Sequence, residues 1–589
     1  MALNSLPPDD VGRNARAGAT PAGRRNDTKP FRQRWDVTPL LWIICAGILA
    51  FIVVNPVARL VLASFEVIDG TGYTFDNYLA AFGRWRHVQA LLNTLVMATG
   101  VSLLAGLFAV PLAWATVRTD MPWRGFVRLG VLAAFITPPY LGAVGWILLA
   151  GPNAGWLNKI WMAASGSDTG VLNIFSLGGL ILIMAGNLYF FIFVFTSTAL
   201  ELISSEMEDA ANMLGANALK TAMKITLPLV YPAILGGLIV VFLQAIALFG
   251  VPALIAIPAR YPVVTTQLWQ FFESPVRAEV AAAYALPLLG ITLALLALQR
   301  HLLAGRGYAT IAGKGGERRI VRLGVWRWPM FAYALFVMAL SVLMPLVVLV
   351  QASLSKAWGR GFAWDNLTLQ NFHFVLFEHA QAQKAIINSI VYGGSAAMAS
   401  LALALCIAYM VKRHVVRGAQ FLAFLCMTPF VIPGLVLAVG FYAAYTTPPF
   451  SLAGTAAIVI LAFTTRLLPI AYQNSAAGIA SIHPEMEEAV RILGGTRATA
   501  IRRIVAPLLK RPLVGAWILV FIPACQELST AIFLTGPNTR VMSMVMLDFS
   551  EEGRLEQLSA LGGVLLVITV AIVILGFRIV GRDFMLRRT

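Results

Sequence analysis

Two polar segments of this chain repeat one another, and they hold the residues best suited to engaging a partner. The first reads Glu206-Met207-Glu208-Asp209-Ala210-Ala211-Asn212-Met213-Leu214-Gly215 and continues to Ile225 and Pro228. The second reads Glu485-Met486-Glu487-Glu488-Ala489-Val490-Arg491-Ile492-Leu493-Gly494 and continues to Ile504 and Pro507. Acid, small residues, glycine, isoleucine and proline keep the same spacing in both, and the copies lie 279 positions apart. The chemistry is recognition. Carboxylates can pair with cations, small residues let a helix lie close to another surface, and Gly215 and Gly494 allow a sharp turn between two short helices. Pro228 and Pro507 are expected to mark where the second helix of each loop ends and the next span begins. Ordinary interfacial helices would not require the same spacing twice.

Other reactive residues point to no reaction. Cys45, Cys406, Cys426 and Cys525 lie in apolar runs without a CxxC pair, which suggests neither disulfides nor zinc. No clustered His, Cys or carboxylate set of the kind a membrane enzyme needs is present. A GxxxxGK[ST] phosphate loop is also missing, since Gly313-Lys314-Gly315 lacks the following Ser or Thr. His373 and His379, near Glu378, have a spacing that matches no ligand pattern and read as a solvated loop. No catalytic, cofactor or metal site is expected. Arg466 and Glu527 fall within apolar runs, where a charge costs about 2.5–3.5 kcal/mol on insertion scales and usually faces a cavity or a partner. They could pair obliquely or through water, or line a pathway or gate. Asn187 occupies the position equivalent to Arg466, and Leu248 replaces Glu527, so this polar layer is asymmetric. Pro138, Pro139, Pro429 and Pro433 should bend the helices that carry them, as pathway walls or for packing alone.

The elements that position these residues are membrane spans. Hydrophobic residues make up 59% of the chain and charged residues 12%, with mean hydropathy +0.78. A soluble domain has about 45–50% apolar and about 25% charged residues. With roughly 20 apolar residues per span, twelve are expected, near 39–64, 90–116, 129–150, 177–200, 231–256, 279–298, 329–352, 386–411, 419–444, 452–476, 512–535 and 557–577. Net charge is +17, without the basic soluble domain a nucleic-acid binder would show. With the N-terminus inside, the inner segments hold 32 Lys and Arg and the outer loops ten. This asymmetry predicts cytoplasmic termini. Both repeated loops, after spans four and ten, are then cytoplasmic.

The whole half repeats. Asn77-Tyr78 resembles Asn371-Phe372, Asn93-Thr94 resembles Asn388-Ser389, and Thr137-Pro138 resembles Thr428-Pro429. A register shift of about 15 residues is matched by an extra stretch around Gly151–Gly170 in the first half. The expected organisation is a disordered basic tail (1–38), a first six-span half (39–298, loop 201–230) and a basic linker (299–328). A second half (329–578, loop 477–511) and a short tail (579–589) follow. Two parallel halves imply a pseudo-two-fold along the membrane normal with the pathway on it.

The two motifs, Asp209-Ala210-Ala211 to Gly215 and Glu488-Ala489-Val490 to Gly494, resemble the "EAA" loops of permease subunits of type I ABC importers. The first has Asp for Glu, and the second has Val for Ala and Ala506 for Leu. That resemblance implies an all-α fold of about twelve transmembrane helices in the bacterial inner membrane. It also implies coupling residues Glu208, Asp209, Ala210, Ala211, Gly215, Ile225, Pro228, Glu487, Glu488, Ala489, Gly494, Ile504 and Pro507, with Asp209 and Glu488 as polar anchors. Two copies of an ATPase subunit would sit on the cytoplasmic side, holding ATP and Mg. A periplasmic solute-binding protein would deliver the cargo outside. Two fused halves look most like ferric-iron permeases. The stretch Leu248-Phe249-Gly250-Val251-Pro252 with Thr265-Thr266 resembles their pattern, and Glu527-Leu528-Ser529 holds the equivalent place. Thiamine and 2-aminoethylphosphonate permeases share the layout. An ion-coupled secondary transporter is the rival class, but it leaves the duplicated loop unexplained.

Overall fold

The computed structural model describes residues 38–68, 70–203, 210–211, 213–273, 275–304, 320–361 and 363–580. The N-terminal tail, most of the linker, the C-terminal tail, Glu208 and Asp209 lie outside the described residues. Among the described residues, ten long apolar helices and two sharply bent pairs carry the fold. The first half contains α1 (Leu40–Ala63), α2 (Trp85–Arg118), the pair α3 (Arg124–Ile136) and α4 (Pro139–Ala150), α5 (Leu177–Leu202), α6 (Ala222–Ala247) and α7 (Ala278–Leu298). The second contains α8 (Gly324–Ser353), α9 (Ala380–Lys412), the pair α10 (Ala419–Phe430) and α11 (Gly434–Tyr445), α12 (Ala456–Ala480), α13 (Arg497–Gln526) and α14 (Leu555–Gly576). Counting each pair as one span gives the twelve expected.

The proline-bearing spans turn far more than a kink. α3 and α4 meet at 99°, and α10 and α11 at 110°. Pro138 (φ −56°, ψ 133°) and Pro433 (φ −55°, ψ 143°) are the N-cap residues of α4 and α11. Their extended ψ directs the chain into a new helix, and Pro139 fills the first helical position, where a missing N–H costs nothing. The counterpart of Pro138 is therefore Pro433. Pro429, paired with Pro138 by sequence, lies in the short turn Thr428–Phe430 instead.

Spans five and eleven lie earlier in the chain than hydropathy places them, at Ala222–Ala247 and Arg497–Gln526. The apolar residues beyond them, including Phe249, Val251, Leu528 and Ala531, are buried inside the bundle. Hydropathy cannot tell a residue facing lipid from one facing protein. Pro228 and Pro507 also correct an expectation, because no helix ends there. One wide π-helical turn, Ala222–Thr226 or Ile501–Val505, runs directly into the next helix with the proline at its second position. The extra residue in the turn makes room for a ring that would clash with the carbonyl four residues back. Ala50–Val54 before Pro56 and Ala339–Leu343 before Pro345 repeat the device in α1 and α8.

The halves exchange their first spans. α1 packs on α11 and α12 of the second half. A methyl group at Gly440 would meet the Pro56 carbonyl at 2.7 Å. Tyr445 Oη donates to the Phe51 carbonyl, and Thr465 Oγ1 to that of Ile52 at 3.2 Å. α8 packs reciprocally on α4, where a methyl at Gly145 would sit 2.7 Å from Pro345. Tyr333 Oη of α8 donates to the Leu107 carbonyl at 2.6 Å. The sequence units 39–298 and 329–578 thus share one core.

Candidate coupling loops and central polar layer

The two loops are built alike. Gly215 and Gly494 both adopt φ +81°, and nothing lies within 4 Å of where a Cβ would stand. The left-handed backbone, not crowding, calls for glycine. Leu214 N–H donates to the Ala210 carbonyl and Ala216 N–H to that of Ala211 (3.2 and 3.0 Å). Leu493 to Ala489 and Gly495 to Val490 repeat this (3.2 and 2.8 Å). The next helix is capped by Asn217, whose Oδ1 accepts from Lys220 N–H at 2.8 Å, and by Thr496, whose Oγ1 accepts from Thr499 N–H at 3.2 Å. The differences compensate. A methyl at Gly495 would meet Val490 Cγ1 at 2.5 Å, whereas the first loop has Ala216 opposite the smaller Ala211.

The acids of the second loop divide their roles. Glu488 and Ala489 on the helix Pro484–Ile492 face outward. Glu487 is 8% exposed and turned inward. Its Oε1 accepts from Arg413 Nε at 2.6 Å and its Oε2 from Tyr409 Oη at 2.7 Å. The same guanidinium donates through Nη2 to the Ile482 carbonyl at 2.9 Å. In the first half Arg118 Nη2 donates to the Leu200 and Ile203 carbonyls at 2.8 and 2.9 Å. Neither arginine stood out in the sequence. The signal available was their equal placement at the ends of matching spans. Ile225 and Ile504 are half-buried in the π turns, and Pro228 and Pro507 are exposed.

The tips of the loops are apolar and open. Met213 and Leu214 are 84% and 88% exposed, and Ile492 and Leu493 are 85% and 87% exposed. Single exposed apolar residues are ordinary on a protein surface. An adjacent pair at the same place in both loops is a matched feature.

The polar residues at membrane depth hold the broken spans together. Asn187 Nδ2 donates to the Ala134 and Thr137 carbonyls at 3.3 and 3.0 Å. Arg466 Nη1 donates to the Ile432 carbonyl at 2.8 Å and approaches that of Pro429 at 3.5 Å. Both therefore satisfy carbonyls freed at the break, a condition for irregular backbone inside a membrane. Gln526 of the second half adds a bond to the Ile136 carbonyl of the first at 2.8 Å. Glu527 is not inside a helix but caps the end of α13 (φ −69°, ψ 120°), as Leu248 caps α6 (φ −73°, ψ 129°). Its Oε1 accepts from Thr530 N–H at 3.1 Å. Arg466 and Glu527 flank Gly434, whose added methyl would lie 3.7 Å from Arg466 Nε and 3.6 Å from Glu527 Oε1. The methyl would first meet Ser529 Cβ, at 3.0 Å.

At the far end of the bundle, His379, Arg540, Asp548, Glu551 and Glu552 line a cavity. Burial pushes the Asp548 carboxyl up, against the pull of Arg540 with which it pairs. Burial and the Asp548 charge also push Glu551 up. His379 Nδ1 accepts from Ala382 N–H at 3.1 Å and so caps α9, while His373 Nδ1 lies 2.9 Å from Glu378 Oε1. Among the described residues no group suits a metal ion.

Two interlocked helical halves, each bearing a loop turned in the same way at a glycine with φ +81°, make up a multi-pass membrane protein. The chain belongs to the family of binding-protein-dependent transport system inner membrane components, whose model matches residues 78–308 and 376–582. It is similar to the ferric transport system permease protein FbpB of Actinobacillus pleuropneumoniae, with 27% identity over 90% of this chain and 76% of that one. A ferric transport permease of Haemophilus influenzae is 26% identical over 86% of this chain and 79% of that one. A 2-aminoethylphosphonate transport permease, PhnV, of Salmonella paratyphi A is 26% identical over 38% of this chain and 84% of that one. A chain of the solved bacterial alginate ABC transporter, in complex with its periplasmic protein, aligns at 20% identity, covering 45% of this chain and 94% of that one, with a TM-score of 0.37. The protein is a multi-pass inner membrane permease of the ABC importer class.

Proposed function

We propose that this chain forms the translocation pathway of an ATP-driven importer and carries ferric iron delivered by a periplasmic binding protein. Two copies of an ATPase subunit, which hold ATP and Mg, dock on the repeated loops from the cytoplasm. Closing the loops together opens the far side to the loaded binding protein. The chain itself makes and breaks no covalent bond. The matched exposed pairs Met213-Leu214 and Ile492-Leu493, each beside a glycine at φ +81°, are the observation that supports docking. The iron reading is supported by likeness to ferric permeases across nearly the whole chain, whereas the likeness to the phosphonate permease spans one half.

Reconstitution with the ATPase and binding protein in liposomes tests both parts. Uptake of radiolabelled ferric iron is expected to need ATP hydrolysis. Uptake of thiamine or 2-aminoethylphosphonate in place of iron would replace the cargo, and uptake that survives without hydrolysis would replace the class with an ion-coupled carrier. Replacing Met213, Leu214, Ile492 and Leu493 together by Glu should abolish ATPase binding in a pull-down while leaving membrane insertion intact.

A further inference from the structure

Each half contains one helix fastened at both ends to segments that are not its chain neighbours. α9 is 33 residues long, about 50 Å at 1.5 Å per residue. At the loop end, Arg413 immediately beyond it grips Glu487 and the Ile482 carbonyl, and Tyr409 within it grips Glu487 again. At the other end, Asn388 Nδ2 donates to the Arg540 carbonyl at 2.9 Å, and Ser389 Oγ accepts from Met542 N–H at 2.8 Å. α2 repeats the plan. Arg118 grips the carbonyls that lead into the first loop. Asn93 Nδ2 donates to the Pro262 carbonyl at 2.9 Å, and Thr94 Oγ1 accepts from Val264 N–H at 2.9 Å. An Asn–Thr or Asn–Ser pair thus holds each helix about two turns from one end, and an arginine bound to backbone carbonyls holds the other, with the Glu487 carboxylate and Tyr409 added in the second half alone among the described residues.

We propose that α2 and α9 are the transmission rods of the permease, with Arg118 and Arg413 as the positioning residues that join each rod to its loop. The inference rests on the reading of the loops as ATPase-docking sites. A loop displaced by its partner moves the arginine, the arginine moves the rod along its axis, and the Asn–Thr or Asn–Ser pair shifts the segments before Val264–Phe272 and Met542–Glu551 at the opposite face. Arg413 reaches the Glu487 carboxylate and the Ile482 carbonyl at once because a guanidinium is a planar fork, and a lysine ammonium could not span both in the same geometry.

The test compares wild type with Arg413→Lys and Tyr409→Phe in liposomes holding the complete transporter. ATP hydrolysis stimulated by loaded binding protein and cargo moved per ATP are read together with basal hydrolysis. The expected result is an assembled complex with basal hydrolysis within twofold of wild type. Cargo per ATP should fall about tenfold in Arg413→Lys and by a smaller factor in Tyr409→Phe. An unchanged ratio in Arg413→Lys overturns the proposal, as does failure of both variants to assemble, which would make the cluster structural only. If wild type itself shows no ATP-dependent uptake of any cargo, the docking reading fails instead.

Discussion

At the scale of residues, membrane depth makes unpaired polar groups decisive. Arg466→Leu would strip the donor from the Ile432 carbonyl and weaken the turn between α10 and α11. An unsatisfied buried acceptor costs about 1–3 kcal/mol, so a lower unfolding temperature of the purified permease is expected. Asn187→Leu should act alike on α3 and α4. Gly495→Ala places a methyl 2.5 Å from Val490 Cγ1 and 2.8 Å from the Val490 carbonyl oxygen and should distort the second loop, whereas adding Val490→Ala removes the side-chain contact, leaves the carbonyl one and should restore part of the transport. A double variant no better than the single one would refute the compensation. Gly215 and Gly494 replaced together by Val should abolish coupling without loss of insertion, since φ +81° costs a branched residue about 1–2 kcal/mol or more. Intact transport in that variant would count against the loops as joints.

At the scale of elements, sequence showed where helices are and misjudged how they end. Proline was legible as an irregularity, but it has three outcomes here. It turns the chain by about a right angle at Pro138 and Pro433, sits in a short turn at Pro429, and is absorbed by a π turn at Pro228 and Pro507. What selects among them is whether neighbouring side chains satisfy the freed carbonyls, which lies beyond local sequence. Pro507→Ala restores an N–H and removes the ring that the wide turn accommodates. If the turn then tightens to α geometry, losing one residue of offset rotates the loop by about 100° relative to the part of α13 beyond the turn, Ala506–Gln526. Thermal stability should hold or rise while uptake falls; a fall in both would mean the π turn has another cause.

At the scale of the molecule, the exchange of α1 and α8 ties the halves into one body. Two chains covering 1–304 and 320–589, expressed together, should copurify because each holds a helix belonging to the other's core. Omitting residues before 64 should instead destabilise the second half, whose α11 and α12 lose their cover. Protease resistance of each half would show which one fails. Retention of the second half's resistance without α1 would contradict the packing.

The sequence by itself determined the membrane class, the number of spans, the duplication and the pair of loops. Those follow from composition and spacing, which depend on residue type alone. It placed Arg466, Glu527 and Asn187 as polar residues at depth without saying what they hold. Only the tertiary structure decided that Asn187 and Arg466 bind the open carbonyls of broken spans, that Glu487 turns inward while Glu488 faces out, and that Arg118 and Arg413 fasten the long helices to the loops. It also decided that each half lends its first helix to the other. These are pairings between residues far apart in the chain. They arise because every buried polar group must find a partner where water is absent, and which partner is within reach depends on the packed arrangement of all the helices.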